Sequence, residues 1–176
     1  GGCYRANTKT VEAAARENEM CLDSRDALNS GARQVSALRQ LGLQSEPKFD
    51  VMVFAPLRPE ANYWDDALKE LVGAGVHSIV VNRPIYSDES LYDAYVGPNF
   101  MEQGEAAAKW LLDTLAGKEG DKNVLILCGN KEDELMLTRQ EAFEKVLAER
   151  PSLKIWRKVD GNDTALGGKE QGEAIL

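Results

Sequence analysis

The chain has 176 residues, enough for one domain or two small lobes, and its 43% apolar and 28% charged residues suit a water-exposed protein with a core. A net charge of −8 argues against nucleic acid and against an anionic membrane surface as partners. No run of roughly 18 apolar residues occurs, so no segment reads as a membrane-spanning helix.

In chain order, helix and strand patterns alternate. "TKTVEAAARENE" is rich in helix formers, and "MCLDS" is a short apolar run read as a strand leading to Asp26. "ARQVSALRQL" places Val35, Leu38 and Leu41 on one helical face. "FDVMVFAP" is a nearly continuous apolar run closed by Pro56, as expected of a strand covered on both faces. "WDDALKELVGAG" is a helix with Ala67, Leu68, Leu71 and Val72 inward and Gly73 near its end. "HSIVVNRP" is the next strand, and it delivers Asn82 and Arg83 where Pro84 stops the run.

The irregular stretch "IYSDESLYDAYVGPN" reads as a crossover between lobes. A second series follows: helix "MEQGEAAAKWLLDTLAGK", with Met101, Ala108, Leu111, Leu112 and Leu115 in a stripe, then strand "KNVLILCG". Helix "ELMLTRQEAFEKVLAERP", strand "LKIWRKVDG" and a glycine-weakened helix "ALGGKEQGEAIL" complete it. Strands alternating with helices of this length predict βαβ units and a parallel sheet.

Cys3, Cys21 and Cys128 are odd in number and widely spaced, and the single histidine, His77, has no ligand-type neighbours. Neither a zinc site nor a disulfide framework is expected, and Cys21 and Cys128 read as buried small hydrophobes. No cofactor is expected, and no phosphate-binding glycine loop of the GxGxxG or GxxxxGK[ST] type is present.

In open parallel sheets, ligands bind at the carboxyl ends of the strands. Those ends carry Asp26, Asn82 with Arg83, and Asn130 with Lys131. Carboxylate, amide and guanidinium groups can pair with the neighbouring hydroxyls of a sugar. A site that bonds every hydroxyl rejects analogues lacking one. Each residue alone also has an ordinary structural role open to it: a cap, a turn or a surface ion pair. Arg139, inside a helical pattern, reads by itself as a solvated arginine.

Taken together, these segments resemble the periplasmic sugar-binding proteins of bacterial ABC importers, of the ribose- and galactofuranose-binding type. "FDVMVFAP" is similar to the family's "VDAIIISP", and "LKELVGAGVHSIVVNR" to its "LKEAKEAGIPVVLVDR". "SLYDAYVGPNFMEQGEAAAKWLL" resembles "LYVTFVGSDNYEQGRLAAEWLV". The likeness runs from Tyr4 to the end, in constant order and spacing.

The resemblance implies a periplasmic binding protein type 1 fold: α/β, with two Rossmann-like lobes of parallel sheet closing on a sugar. Residues 1–98 would form the N-terminal lobe without its first strand, and residues 99–176 part of the C-terminal lobe. The chain would thus be a fragment, incomplete at both ends. The implied ligand contacts are Tyr4, Arg5, Asp26, Asn82 and Arg83 from the first lobe, and Asn99 and Arg139 from the second. The family's aspartate before the arginine is here the amide Asn82, and an aromatic near the end is Asp163. Fewer carboxylates opposite the arginines leave an acidic ligand open.

The implied function is capture of a monosaccharide or related polyol by a monomer. It would hand the sugar to a membrane permease, in the periplasm or as a cell-surface lipoprotein, without catalysis. Two rivals stay open: the ligand-sensing region of a repressor or receptor kinase, and a doubly wound nucleotide- or flavin-binding enzyme domain.

Overall fold

The computed structural model describes residues 2–44, 49–130 and 132–175, with residues 2–5 described as backbone only. The chain divides into two compact units, Gly1–Pro98 and Asn99–Leu176.

The first unit contains α1 (Gly2–Glu17), α2 (Gly31–Leu43), β1 (Val51–Phe54), α3 (Ala61–Gly73), β2 (His77–Val81), a 3-10 turn at Glu89–Leu91, and β3 (Ala94–Val96). Its three strands run parallel in the order β1-β2-β3, with Val51 opposite His77 and Val81 opposite Val96. Helix α2 begins where the Ser30 hydroxyl accepts the Arg33 N–H at 3.4 Å. Its apolar face buries Leu38 and Leu41. Helix α3 buries Trp64, Ala67, Leu68 and Leu71, the i, i+3, i+4, i+7 set of one helical face.

Val72 was expected inward too, but it lies one residue round the helix from Leu71 and is exposed. The end of α3 is set by Gly75 rather than Gly73. Gly75 adopts φ +73°, its N–H donates to the Val72 carbonyl, and the Val76 N–H donates to the Leu71 carbonyl, both at 3.0 Å. That pair of bonds is the Schellman arrangement, which needs a residue free to enter the left-handed region.

These elements meet in one core of Leu38, Leu41, Phe54, Trp64, Ala67, Leu68, Leu71, Val76, Val80 and Ile85. The Trp64 ring sits 5.3 Å from that of Phe54 and 5.1 Å from that of Tyr63, edge-on to the latter.

Two expectations need correction here. "MCLDS" forms no strand: Met20 is 66% exposed, and a run this short cannot persist without a ladder partner. β1 is covered on one face only, since Val51 and Val53 are exposed while Phe54 is buried. The stretch read as irregular also holds β3, whose three residues give too short a pattern to read, and the division between the two units falls at its end.

The second unit contains α4 (Phe100–Thr114), β4 (Lys122–Cys128), α5 (Glu134–Leu147), β5 (Leu153–Asp160) and α6 (Ala165–Glu173). β4 and β5 are parallel, with the register slipping after Val124 so that Trp156 is passed over. The buried stripe of α4 is Phe100, Gly104 and Ala108, whereas Met101, placed in the stripe by the sequence pattern, is exposed. Gly104 lets α4 approach α5 closely: a methyl there would collide with the Arg139 carbonyl oxygen and lie 3.0 Å from the Ala142 Cβ. Leu127 and Trp156 remain 52% and 58% exposed.

Candidate functional site

The first unit's site begins where β2 ends. Asn82 adopts φ +72°, a conformation that asparagine tolerates better than most residues. Its N–H still donates to the Val96 carbonyl at 2.9 Å, so the ladder to β3 runs one residue past the strand. The Arg83 N–H turns back to the Val81 carbonyl at 2.9 Å. Pro84 follows, and Ile85 is buried in the core, pinning the chain just after the pair. The strand therefore ends in a tight, anchored turn that holds an amide and a guanidinium at consecutive positions on the carboxyl end of a parallel sheet. The Tyr95 hydroxyl donates to the Pro98 carbonyl at 3.1 Å and lies 3.4 Å from the Asn82 carbonyl, bracing the same end.

The loop after β1 is also braced. The Gln34 side chain donates to the Ala55 carbonyl at 2.7 Å and accepts the Leu57 N–H at 3.1 Å. The Trp64 indole donates to the Arg58 carbonyl at 2.7 Å, and the Tyr86 N–H to the Pro59 carbonyl at 2.7 Å. Sequence reasoning missed Gln34, because a polar residue on a helix carries no sign of a partner more than twenty residues away.

Asp26 follows no strand. It lies in an exposed turn where its carboxylate accepts the Leu28 N–H at 2.8 Å, and Leu28 and Asn29 take φ +51° and +58°. Its visible duty is to hold that turn. Tyr4 and Arg5 lie in the opening turns of α1, and their side chains fall outside the described residues. Cys21, expected to be buried, is exposed.

At the other end of β2, the His77 Nδ1 lies 2.8 Å from an Asp93 carboxylate oxygen, and the second oxygen accepts the Ser78 N–H at 2.7 Å. The His77 hydrogen bond, followed by that from Ser78, holds the Asp93 carboxyl below its ordinary value.

In the second unit, the exposed Asn99 caps α4, its side-chain oxygen accepting the N–H groups of Met101 and Glu102 at 3.1 and 3.2 Å. Arg139 belongs to the same end. It is not a solvated arginine: its guanidinium carbon lies 4.9 Å from the centre of the Phe100 ring, and its Nε is buried with no acceptor among the described residues. It lines a cleft of about 280 Å³ together with Gly104, Cys128, Gly129 and Gln140.

Cys128, expected as a plain buried hydrophobe, is partly exposed, and its thiol donates to the Gln140 side-chain oxygen at 2.9 Å. Burial pushes its pKa up, so the thiol stays protonated as a donor. The Gln140 amide donates to Glu144 at 2.7 Å, and Lys158 closes the chain on Glu144 at 2.7 Å. Beside Gly129 lies the carboxylate of Asp163, which with Asn162 takes φ +51°. Lys131, noted at the end of β4, lies outside the described residues.

Among the described residues no group of three or more His, Cys, Asp or Glu could hold a metal, and no helix is long and apolar enough to cross a membrane.

Parallel α/β architecture in each unit agrees with what comparison finds. The chain belongs to the periplasmic binding protein domain family, whose sequence profile matches residues 4–176. A solved Mycobacterium smegmatis protein in complex with β-D-fucofuranose is 31% identical with a TM-score of 0.81, covering 98% of this chain and 55% of that one. The periplasmic binding component of the arabinose ABC transporter of Shewanella sp. ANA-3, bound to α- and β-L-arabinofuranose, is 28% identical with a TM-score of 0.84 over 100% of this chain and 56% of that one. A galactofuranose-binding protein is 26% identical with a TM-score of 0.78, over 97% and 55%. The chain thus spans little more than half the length of these proteins. No curated protein sequence matched.

Proposed function

We propose that this protein is a solute-binding protein that captures a furanose, or a closely related monosaccharide, between two lobes and passes it to the permease of an ABC importer. It acts as a monomer outside the cytoplasmic membrane and performs no chemistry on the sugar. The observation that carries this reading is the Asn82–Arg83 turn at the carboxyl end of β2, in a chain whose relatives at 26–31% identity are named for furanose ligands.

In this reading Arg83 and Arg139 donate to sugar oxygens, one from each unit, and the Asn82 amide both donates and accepts. Residues 1–98 supply the first lobe and residues 99–176 part of the second. Asn99 holds the start of α4, and Tyr4 and Arg5 sit at the rim. Ligand binding favours the closed arrangement by the extra contacts made there.

The test is a thermal-shift panel on the whole protein that carries this sequence, with L-arabinose, D-fucose, D-galactose and, as counter-probe, ATP. A ligand at a hundred times its Kd adds about 2.7 kcal/mol of stability, a shift of several degrees. Stabilisation by at least one sugar and none by ATP is expected. Stabilisation by ATP alone would overturn the reading.

A further inference from the structure

The loop joining β1 to α3, residues 55–60, contains Pro56 and Pro59 and no glycine. Its backbone therefore has few donors and little freedom. Yet residues 55–59 are tied to their surroundings by hydrogen bonds: two involve the single side chain of Gln34, one comes from the Trp64 indole and one from the Tyr86 N–H.

Gln34 uses its donor and its acceptor on two backbone groups of this one loop, Ala55 and Leu57, across 21 and 23 residues of sequence. It stands on α2, which is seated by Leu38 and Leu41 in the core. The opposed senses of the two bonds fix the side-chain chemistry. A carboxylate would face the Ala55 carbonyl without a proton, and an aliphatic chain would leave both backbone groups unpaired. The last tether, from Tyr86 to Pro59, joins this loop to the segment that follows Asn82 and Arg83. A rigid path therefore runs from α2 through the β1 loop to the polar end of β2.

We infer that Gln34 is a positioning residue for the ligand site. It touches no ligand, and it holds the 55–59 loop and the Asn82–Arg83 turn in their binding arrangement before the ligand arrives, so that binding does not have to order them. The identity of the site as a sugar site rests on the proposed function; the clamp itself rests on the hydrogen bonds alone.

The test compares wild type with Gln34→Leu and Gln34→Glu in the whole protein. Without ligand, the Leu57 and Tyr86 amides of Gln34→Leu should exchange roughly tenfold faster than in wild type, the worth of a lost hydrogen bond, while the Val80 amide in β2 is unchanged. Affinity for whichever of L-arabinose, D-fucose and D-galactose stabilises the wild type should fall by a similar factor. Gln34→Glu should bind weakly at neutral pH and recover at about pH 4, where the new carboxyl gains the proton needed to donate to Ala55; a merely structural residue gives no such recovery relative to wild type at the same pH. Unchanged exchange at Leu57 and Tyr86, or faster exchange with undiminished sugar affinity, would overturn the inference. If no sugar stabilises the wild type, the proposed function fails, and the clamp then stands or falls on those two amides.

Discussion

The two units solve the same problem by different means. Among the described residues, the first has three strands and a continuous core around Trp64, and it fixes its strand ends with side-chain-to-backbone tethers from Gln34, Trp64 and Tyr95. The second has two strands among its described residues, leaves Leu125, Leu127 and Trp156 exposed, and draws its order from the close approach of α4 and α5 at Gly104. Its polar end is held by a relay from Cys128 through Gln140 and Glu144 to Lys158. The two arginines of the proposed site are seated accordingly: Arg83 stands in an anchored turn, whereas Arg139 rests on the Phe100 ring. Hydrogen-bonded tethers on a packed core hold the strand ends of the first unit, and a helix–helix contact holds the second.

The contrast can be broken most sharply at Trp64. Trp64→Ala removes a fully buried ring and the bond to Arg58, and should cost about 3–5 kcal/mol. Amide exchange should rise across β2 and α3 while α4 and α5 keep their protection; an equal loss in both units would erase the distinction. Next, Gly104→Ala sets a methyl against the Arg139 carbonyl, with an expected loss of about 1–3 kcal/mol in urea unfolding, read by exchange in α4 and α5. No loss would mean that the helix contact is slack.

Asn99→Ala removes two bonds to the first turn of α4 and should cost about 1 kcal/mol, with Asn99→Ser recovering most of it. The smallest effect is at Asp93. Its carboxyl is depressed in the folded state, so its stabilisation is full above the ordinary carboxylate range and disappears as pH falls through the lowered value. Asp93→Asn should lower the melting temperature slightly at neutral pH and leave it unchanged in strong acid. The pair is solvent-exposed, which keeps the effect small.

Much of the fold was legible because its elements carry strong local signals. The helical spacing of Ala67, Leu68 and Leu71 and the apolar run before Asn82 each specify one element, and the alternation of helix and strand specifies a parallel α/β fold. "MCLDS" was misread because an apolar run shows the appetite for a strand but not the presence of a neighbour to pair with. β3 was missed because its three residues take their place from β2 rather than from their own pattern. At the site, the Asn82–Arg83 turn was visible because a proline follows it directly. The tethers of Gln34, the seat of Arg139 on Phe100 and the approach of Asp163 to Gly129 join residues far apart in sequence, and only the folded chain brings them together.

In the proposed function, the turn at the end of β2 grips a sugar. Calorimetric titration of the whole protein with L-arabinose and D-fucose, wild type beside Arg83→Ala, tests it most directly. Saturable binding of at least one sugar by wild type is expected, weakened by about 1.5–3 kcal/mol in the variant, as for loss of a hydrogen bond to a charged group, with the unfolding midpoint of the free protein unchanged. Equal binding by both proteins, or binding by neither, would contradict it.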